Sequence, residues 1–124
     1  MKKIMVVDDE PAITRMVKLN LEETGLYEVM TENNGPHVIE VVREFMPDLI
    51  FLDIMMPEMT GDEIAETLKN DSELENIKVV FLTALVTRDE TANGKNEIGT
   101  NQFLAKPVST KDLLHCINEV LNEE

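Results

Sequence analysis

The chain has 124 residues, 43% of them hydrophobic, with a net charge of −14 at pH 7 and a pI near 4.4. That length fits one domain able to bury a core, and so large an acidic excess repels nucleic-acid phosphates and argues against direct DNA or RNA binding. One cysteine, Cys116, excludes an internal disulfide and agrees with a reducing compartment, while the short apolar run after Met1-Lys2-Lys3 suits neither a secretory leader nor a membrane span, so a cytoplasmic protein off the membrane is expected.

Taken in chain order, the elements alternate. Residues 3–7 are a β-branched apolar run, too short for a helix and suited to a strand covered on both faces. Pro11 starts a helix, where its missing N–H costs nothing, with Ile13, Met16, Val17 and Leu21 on one face and Gly25 as the stop. Residues 27–31 read as a second, poorer strand of edge-like polarity. Pro36 opens a helix carrying Val38, Val41, Val42 and Phe45, and Pro47 ends it. Residues 49–52 form the central strand. Thr60-Gly61-Asp62-Glu63 has capping-box spacing and starts a third helix with Ile64 and Leu68 inward.

Residues 77–82 read as a fourth strand, and Thr87-Arg88-Asp89-Glu90 repeats the capping-box spacing. Residues 88–97 then offer almost no apolar face and contain Gly94, so a short, shifted or mobile fourth helix is expected. Residues 102–105 form a fifth strand, and Ser109 caps a last helix with Leu113, Leu114, Ile117 and Leu121 apolar. Five βα units with no internal repeat or linker predict an α/β fold with right-handed crossovers and helices on both faces of a parallel sheet.

Polar residues follow four of these runs: Asp8-Asp9, Asp53, Thr83 and Lys106-Pro107. Parallel strands bring ends of one polarity to one rim, where ligands of open α/β sheets bind. Three acids beside a lysine and a threonine suit a hard divalent cation and a phosphoryl group.

This set, with Asp53-Ile54-Met55-Met56-Pro57-Glu58-Met59-Thr60-Gly61 after the third strand, resembles the chemotaxis-regulator-like receiver domain of two-component response regulators, as a stand-alone receiver or an excised one. The resemblance spans residues 1–124 and implies a single receiver domain with no output domain. It also implies a flavodoxin-like, doubly wound, five-stranded parallel sheet of order 2-1-3-4-5. It makes Asp53 the acceptor of a phosphoryl group from a sensor histidine kinase or phosphotransfer protein. Mg²⁺, replaceable by Mn²⁺, is then held by Asp8, Asp9 and Asp53 with the Met55 carbonyl. Thr83 and Lys106 contact phosphoryl oxygens, Phe103 takes the switch-aromatic position, and Pro107 is a candidate for a cis peptide. Met55 and Leu85, both apolar, occupy positions that tune dephosphorylation in the family and imply a slow-decaying phosphoprotein. Output is expected through a protein partner on the face of the fourth helix, fifth strand and fifth helix, by a monomer whose dimerisation on phosphorylation is left open. The protein is expected to assist its own phosphorylation and dephosphorylation without being an enzyme.

Each residue has a plainer reading. Asp9 or Glu10 could cap the first helix, Asp53 could form a turn, Lys106 could be a solvated loop residue, and Phe103 could be ordinary packing. His37 and His115 lack ligand spacing and read as surface residues, and Cys116 as a small, partly buried one. Rival functions are a haloacid-dehalogenase-type phosphohydrolase, a flavin mononucleotide protein and a phosphorylation-independent scaffold. The first needs an acid two residues after Asp8, and finds Glu10, but leaves Asp53 unexplained. The second needs a Ser/Thr/Gly-rich loop where Asp-Asp-Glu-Pro stands. The third is opposed by the intact set of polar residues.

Overall fold

The computed structural model describes residues 1–83, 97–98, 101–105 and 109–121. In chain order these form β1 (Lys2–Val7), α1 (Pro11–Glu22), β2 (Tyr27–Glu32), a 3₁₀ turn (Gly35–His37), α2 (Val38–Phe45), β3 (Leu49–Asp53), α3 (Gly61–Lys69), β4 (Lys78–Thr83), β5 (Glu97–Ile98), β6 (Asn101–Ala105) and α4 (Thr110–Leu121). The sheet order is β2-β1-β3-β4-β6-β5. β1, β2, β3, β4 and β6 are mutually parallel, which is the expected 2-1-3-4-5 arrangement with β6 as the fifth parallel strand. β5 adds two residues antiparallel to β6 at the edge, an addition the sequence did not announce.

Strand alternation sorts the core into two layers. Ile4, Val6, Leu49, Phe51, Val80 and Leu82 pack with α1 and α4 through Val17, Leu21, Leu113 and Ile117. Met5, Val7, Ile50, Leu52, Phe81 and Phe103 pack with α2 and α3 through Val38, Val42, Ile64 and Leu68. β3 is buried along its whole length because strands and helices enclose it on every side.

Several expectations shift. On α1 the buried stripe is Thr14, Val17 and Leu21, while Met16 is 47% exposed. Met16 is apolar but lies about a quarter-turn from Val17, off the stripe. Proline does not open α2 directly. Gly35–His37 forms the 3₁₀ turn first, and α2 ends at left-handed Met46 (φ 51°), one residue before Pro47. Glu97, expected in a helix, lies in β5, and residues 88–96 lie outside the described residues. Cys116 is buried rather than partly so, and His37 and His115 are exposed. The last helix is capped as expected, Ser109 Oγ accepting the Asp112 N–H at 3.1 Å. Among the described residues no helix is long and apolar enough to cross a membrane.

Candidate functional site

β1 and β3 run in a register that pairs Val7 with Leu52, so the residues that follow, Asp8 and Asp53, come side by side at the carboxyl rim. One carboxylate oxygen from each of Asp8, Asp9 and Asp53 lies within 4.8 Å of the others. Asp8 is 0% and Asp53 3% exposed, whereas Asp9 faces solvent, so the cluster has a dry floor and one wet wall. Negative charges gathered this closely in a partly desolvated place repel one another strongly. All-oxygen, anionic donors at this spacing fit a hard divalent cation, which offsets that repulsion.

Local backbone bonds aim the carboxylates. Asp8 Oδ1 accepts the Glu10 N–H at 3.0 Å, and Asp53 Oδ1 accepts the Met55 N–H at 3.2 Å. Each acid is thus held by the amide two residues on, as Asp side chains are in Asx turns. The alternative in which the side chain of Asp9 or Glu10 caps α1 does not hold. Glu10 occupies the N-cap of α1, no side-chain cap bond is made there, and Pro11 sits at the start of the helix.

A further group surrounds Asp8. Its N–H donates to the Glu32 carbonyl at 3.2 Å. Its carbonyl accepts from Asn33 Nδ2 at 2.8 Å, and the same amide nitrogen donates to Thr14 Oγ1 at 3.0 Å. Thr14 in turn donates to the Pro11 carbonyl at 3.1 Å and is almost wholly buried. Sequence reasoning missed Asn33 and Thr14. A polar residue at a buried helix phase, three residues before Val17, was the one available signal for Thr14.

The segment after Asp53 is also tightly set. Ile54 N–H donates to the Leu82 carbonyl at 3.3 Å, and Gly61 N–H returns to the Ile54 carbonyl at 3.0 Å. Glu58 has left-handed backbone, φ 71°. At Gly61 a Cβ would lie 2.3 Å from the Asp53 carbonyl oxygen and 2.9 Å from Ile54 Cα, so only glycine lets α3 start this close to the end of β3. The capping box expected there is present, with Glu63 accepting the Thr60 N–H at 2.9 Å. Met55 is 60% exposed beside the acids.

The other rim residues divide. Thr83 is the last residue of β4, in register with Ala105, the last of β6. Phe103 is buried among the α2–α3 layer. Lys106, Pro107 and Leu85 lie outside the described residues.

The chain is similar to known proteins in both sequence and fold. The family described as "Response regulator receiver domain" matches residues 4–118. "Polar-differentiation response regulator DivK" of Brucella anthropi is 30% identical over 122 residues, covering 98% of both chains. "Phosphate regulon transcriptional regulatory protein PhoB" of Pseudomonas aeruginosa is 36% identical over 120 residues, 97% of this chain and 52% of that protein. The chain thus spans about half the length of several curated relatives it matches. The solved structure of chemotaxis protein CheY4 of Vibrio cholerae superposes with a TM-score of 0.81 at 30% identity, covering 97% of this chain and 98% of that one. The chain belongs to the response regulator receiver domains, the signalling switches of two-component systems.

Proposed function

We propose that Asp53 accepts a phosphoryl group from a histidine kinase or phosphotransfer protein and that the acid pair Asp8–Asp9 prepares it to do so. The observation that carries this reading is a nearly buried acid at the end of the central strand, within 4.8 Å of two further carboxylates. In the reaction an Asp53 carboxylate oxygen bonds to phosphorus while the bond from phosphorus to the donor's imidazole nitrogen breaks. The imidazole leaves with that electron pair and takes up a proton. The Met55 N–H orients the Asp53 carboxylate for an in-line approach. Asp8, Asp9, Asp53 and the Met55 carbonyl would hold Mg²⁺, or Mn²⁺ in its place, which would supply positive charge to the phosphoryl oxygens. Thr83 is assigned a hydrogen bond to one phosphoryl oxygen and Lys106 a charge to another.

The chain works as one receiver domain, residues 1–124, in the cytoplasm, and reads out through a protein rather than nucleic acid or membrane. The assigned output face is that of the expected fourth helix with β6 and α4, with Thr83 and Phe103 as its link to the acceptor. Met55, apolar and exposed beside Asp53, gives an attacking water no hydrogen-bond partner, so slow hydrolysis of the acyl phosphate belongs to the same reading.

The test is labelling by a small phosphodonor such as acetyl phosphate. Label should require Mg²⁺ or Mn²⁺, vanish in Asp53→Asn, and weaken with raised metal requirement in Asp9→Ala. Undiminished label in Asp53→Asn would refute the acceptor. Absence of label in the parent under all conditions would favour a phosphorylation-independent scaffold.

A further inference from the structure

We propose that Asn33 is a positioning residue for the metal-binding acids, acting through the main chain of Asp8 and braced by Thr14. The inference rests on the phosphoacceptor reading and adds to it a residue outside the rim. The turn from β1 into α1 must present Asp9 to solvent and Asp8 to the core while carrying two charges. Its usual support, a side-chain cap on α1, is missing. Asn33 stands in from just past the end of the edge strand β2.

The bonds form one chain. Asn33 Nδ2 donates to the Asp8 carbonyl at 2.8 Å and to Thr14 Oγ1 at 3.0 Å, and the Thr14 hydroxyl donates to the Pro11 carbonyl at 3.1 Å. The direction of the amide is settled by chemistry. A backbone carbonyl only accepts, so the nitrogen and not the oxygen of Asn33 must face Asp8. Both hydrogens of that nitrogen are then used. On the other side, Asp8 N–H is held by the Glu32 carbonyl at 3.2 Å. Residues 32 and 33 at the end of β2 thereby grip both polar groups of Asp8's main chain.

The consequence follows from peptide planarity. The Asp8 carbonyl belongs to the Asp8–Asp9 peptide, so its direction sets the plane that carries Asp9. A rotation of that plane swings the Asp9 carboxylate relative to the Asp8 and Asp53 carboxylates, and a small cation with strict octahedral demands tolerates little such error. Bonds in series also polarise one another, and Thr14 anchors the series inside the core. Partners one shell out from metal ligands commonly matter for affinity in this way.

The experiment measures Mg²⁺ dissociation constants by calorimetric titration and urea midpoints by circular dichroism for the parent, Asn33→Ala, Asn33→Asp, Thr14→Val and the exposed control Asn34→Ala. Asn33→Ala should bind Mg²⁺ roughly ten-fold more weakly, with amide resonances of Asp9 and Glu10 displaced and those of α2 unmoved. Asn33→Asp cannot donate and should lose at least as much. Thr14→Val should lose less, and Thr14→Val added to Asn33→Ala should cost no further affinity, since the brace acts through Asn33. Parent-like Mg²⁺ affinity in folded Asn33→Ala, or an equal loss in Asn34→Ala, would overturn the proposal, even if the urea midpoint fell. A parent that binds no Mg²⁺ would instead bring down the phosphoacceptor reading and this inference with it.

Discussion

At the residue scale, the most exacting position is Gly61. It was legible in the sequence as the residue after a capping threonine and as the end of the Asp53–Gly61 segment that carries the family resemblance. The structure gives it a second constraint, because its α-carbon lies against the backbone of Asp53 and Ile54. A methyl group there meets main chain, not the end of a side chain that could turn away. Gly61→Ala should therefore cost about 1–3 kcal/mol in urea unfolding, as overpacking does, and should lower the rate of Asp53 labelling beyond what the stability loss explains. A parent-like urea midpoint would mean the start of α3 can move aside freely. Cys116 makes a different case. Burial pushes its thiol up to about 12, with the Glu119 charge acting in the same direction. The unfolded thiol ionises near its ordinary value of about 8.5 while the native one keeps its proton. The unfolded state then binds fewer protons, so stability should fall as pH rises from about 9 towards 12, at up to about 1.4 kcal/mol per pH unit. At pH 8 a thiol reagent should modify native Cys116 slowly and the urea-unfolded chain fast. Equal rates in the two states would contradict the burial.

At the element scale, the parallel strands and their helices were legible because each carries a periodic signal: continuous apolar runs for buried strands, and capping residues with spaced apolar positions for helices. The site's outline came with them, since a parallel sheet brings Asp8, Asp53 and Thr83 to one rim by topology alone. What escaped lacks periodicity. The Asn33–Thr14–Asp8 bonds join three separate segments through side-chain geometry, β5 is two residues long, and Met16 differs from a core residue only in helical phase. The proposed output face follows the same logic. Phe103 lies in β6, paired with Phe81 two residues before Thr83, so a change at the end of β4 has a short path to it. In sequence, residues 88–96 have Ala92 as their one apolar side chain. A beryllofluoride adduct should alter amide exchange most in residues 84–105 and least in α2. Changes concentrated in residues 36–46 would put the output elsewhere, and Thr83→Ala should keep phosphorylation while losing the change.

At the scale of the whole molecule, charge is the dominant feature. The chain carries a net charge of −14, and its carboxyl rim gathers three acids, Asp8 and Asp53 buried and Asp9 exposed. The fold therefore tolerates a repulsion at its rim that a cation or a neutral substitution should relieve. Asp53→Asn isolates this term. The asparagine oxygen can still accept the Met55 N–H bond that Asp53 Oδ1 accepts, and the side-chain volume hardly changes, so that bond is kept while the charge is removed. In metal-free buffer at low ionic strength the variant should unfold at higher urea than the parent, by on the order of 1 kcal/mol. The gap should narrow with added salt, because the exposed Asp9 leaves part of the cluster open to screening. Mg²⁺ should reverse the order. It binds the parent's native state, adding about 2.7 kcal/mol at a hundred-fold excess over its Kd, and gains less from a site with one ligand charge removed. Thermal melts of both proteins with and without Mg²⁺ read the whole comparison. A variant less stable than the parent without metal would show that Asp53 contributes to the fold through bonding rather than straining it through charge.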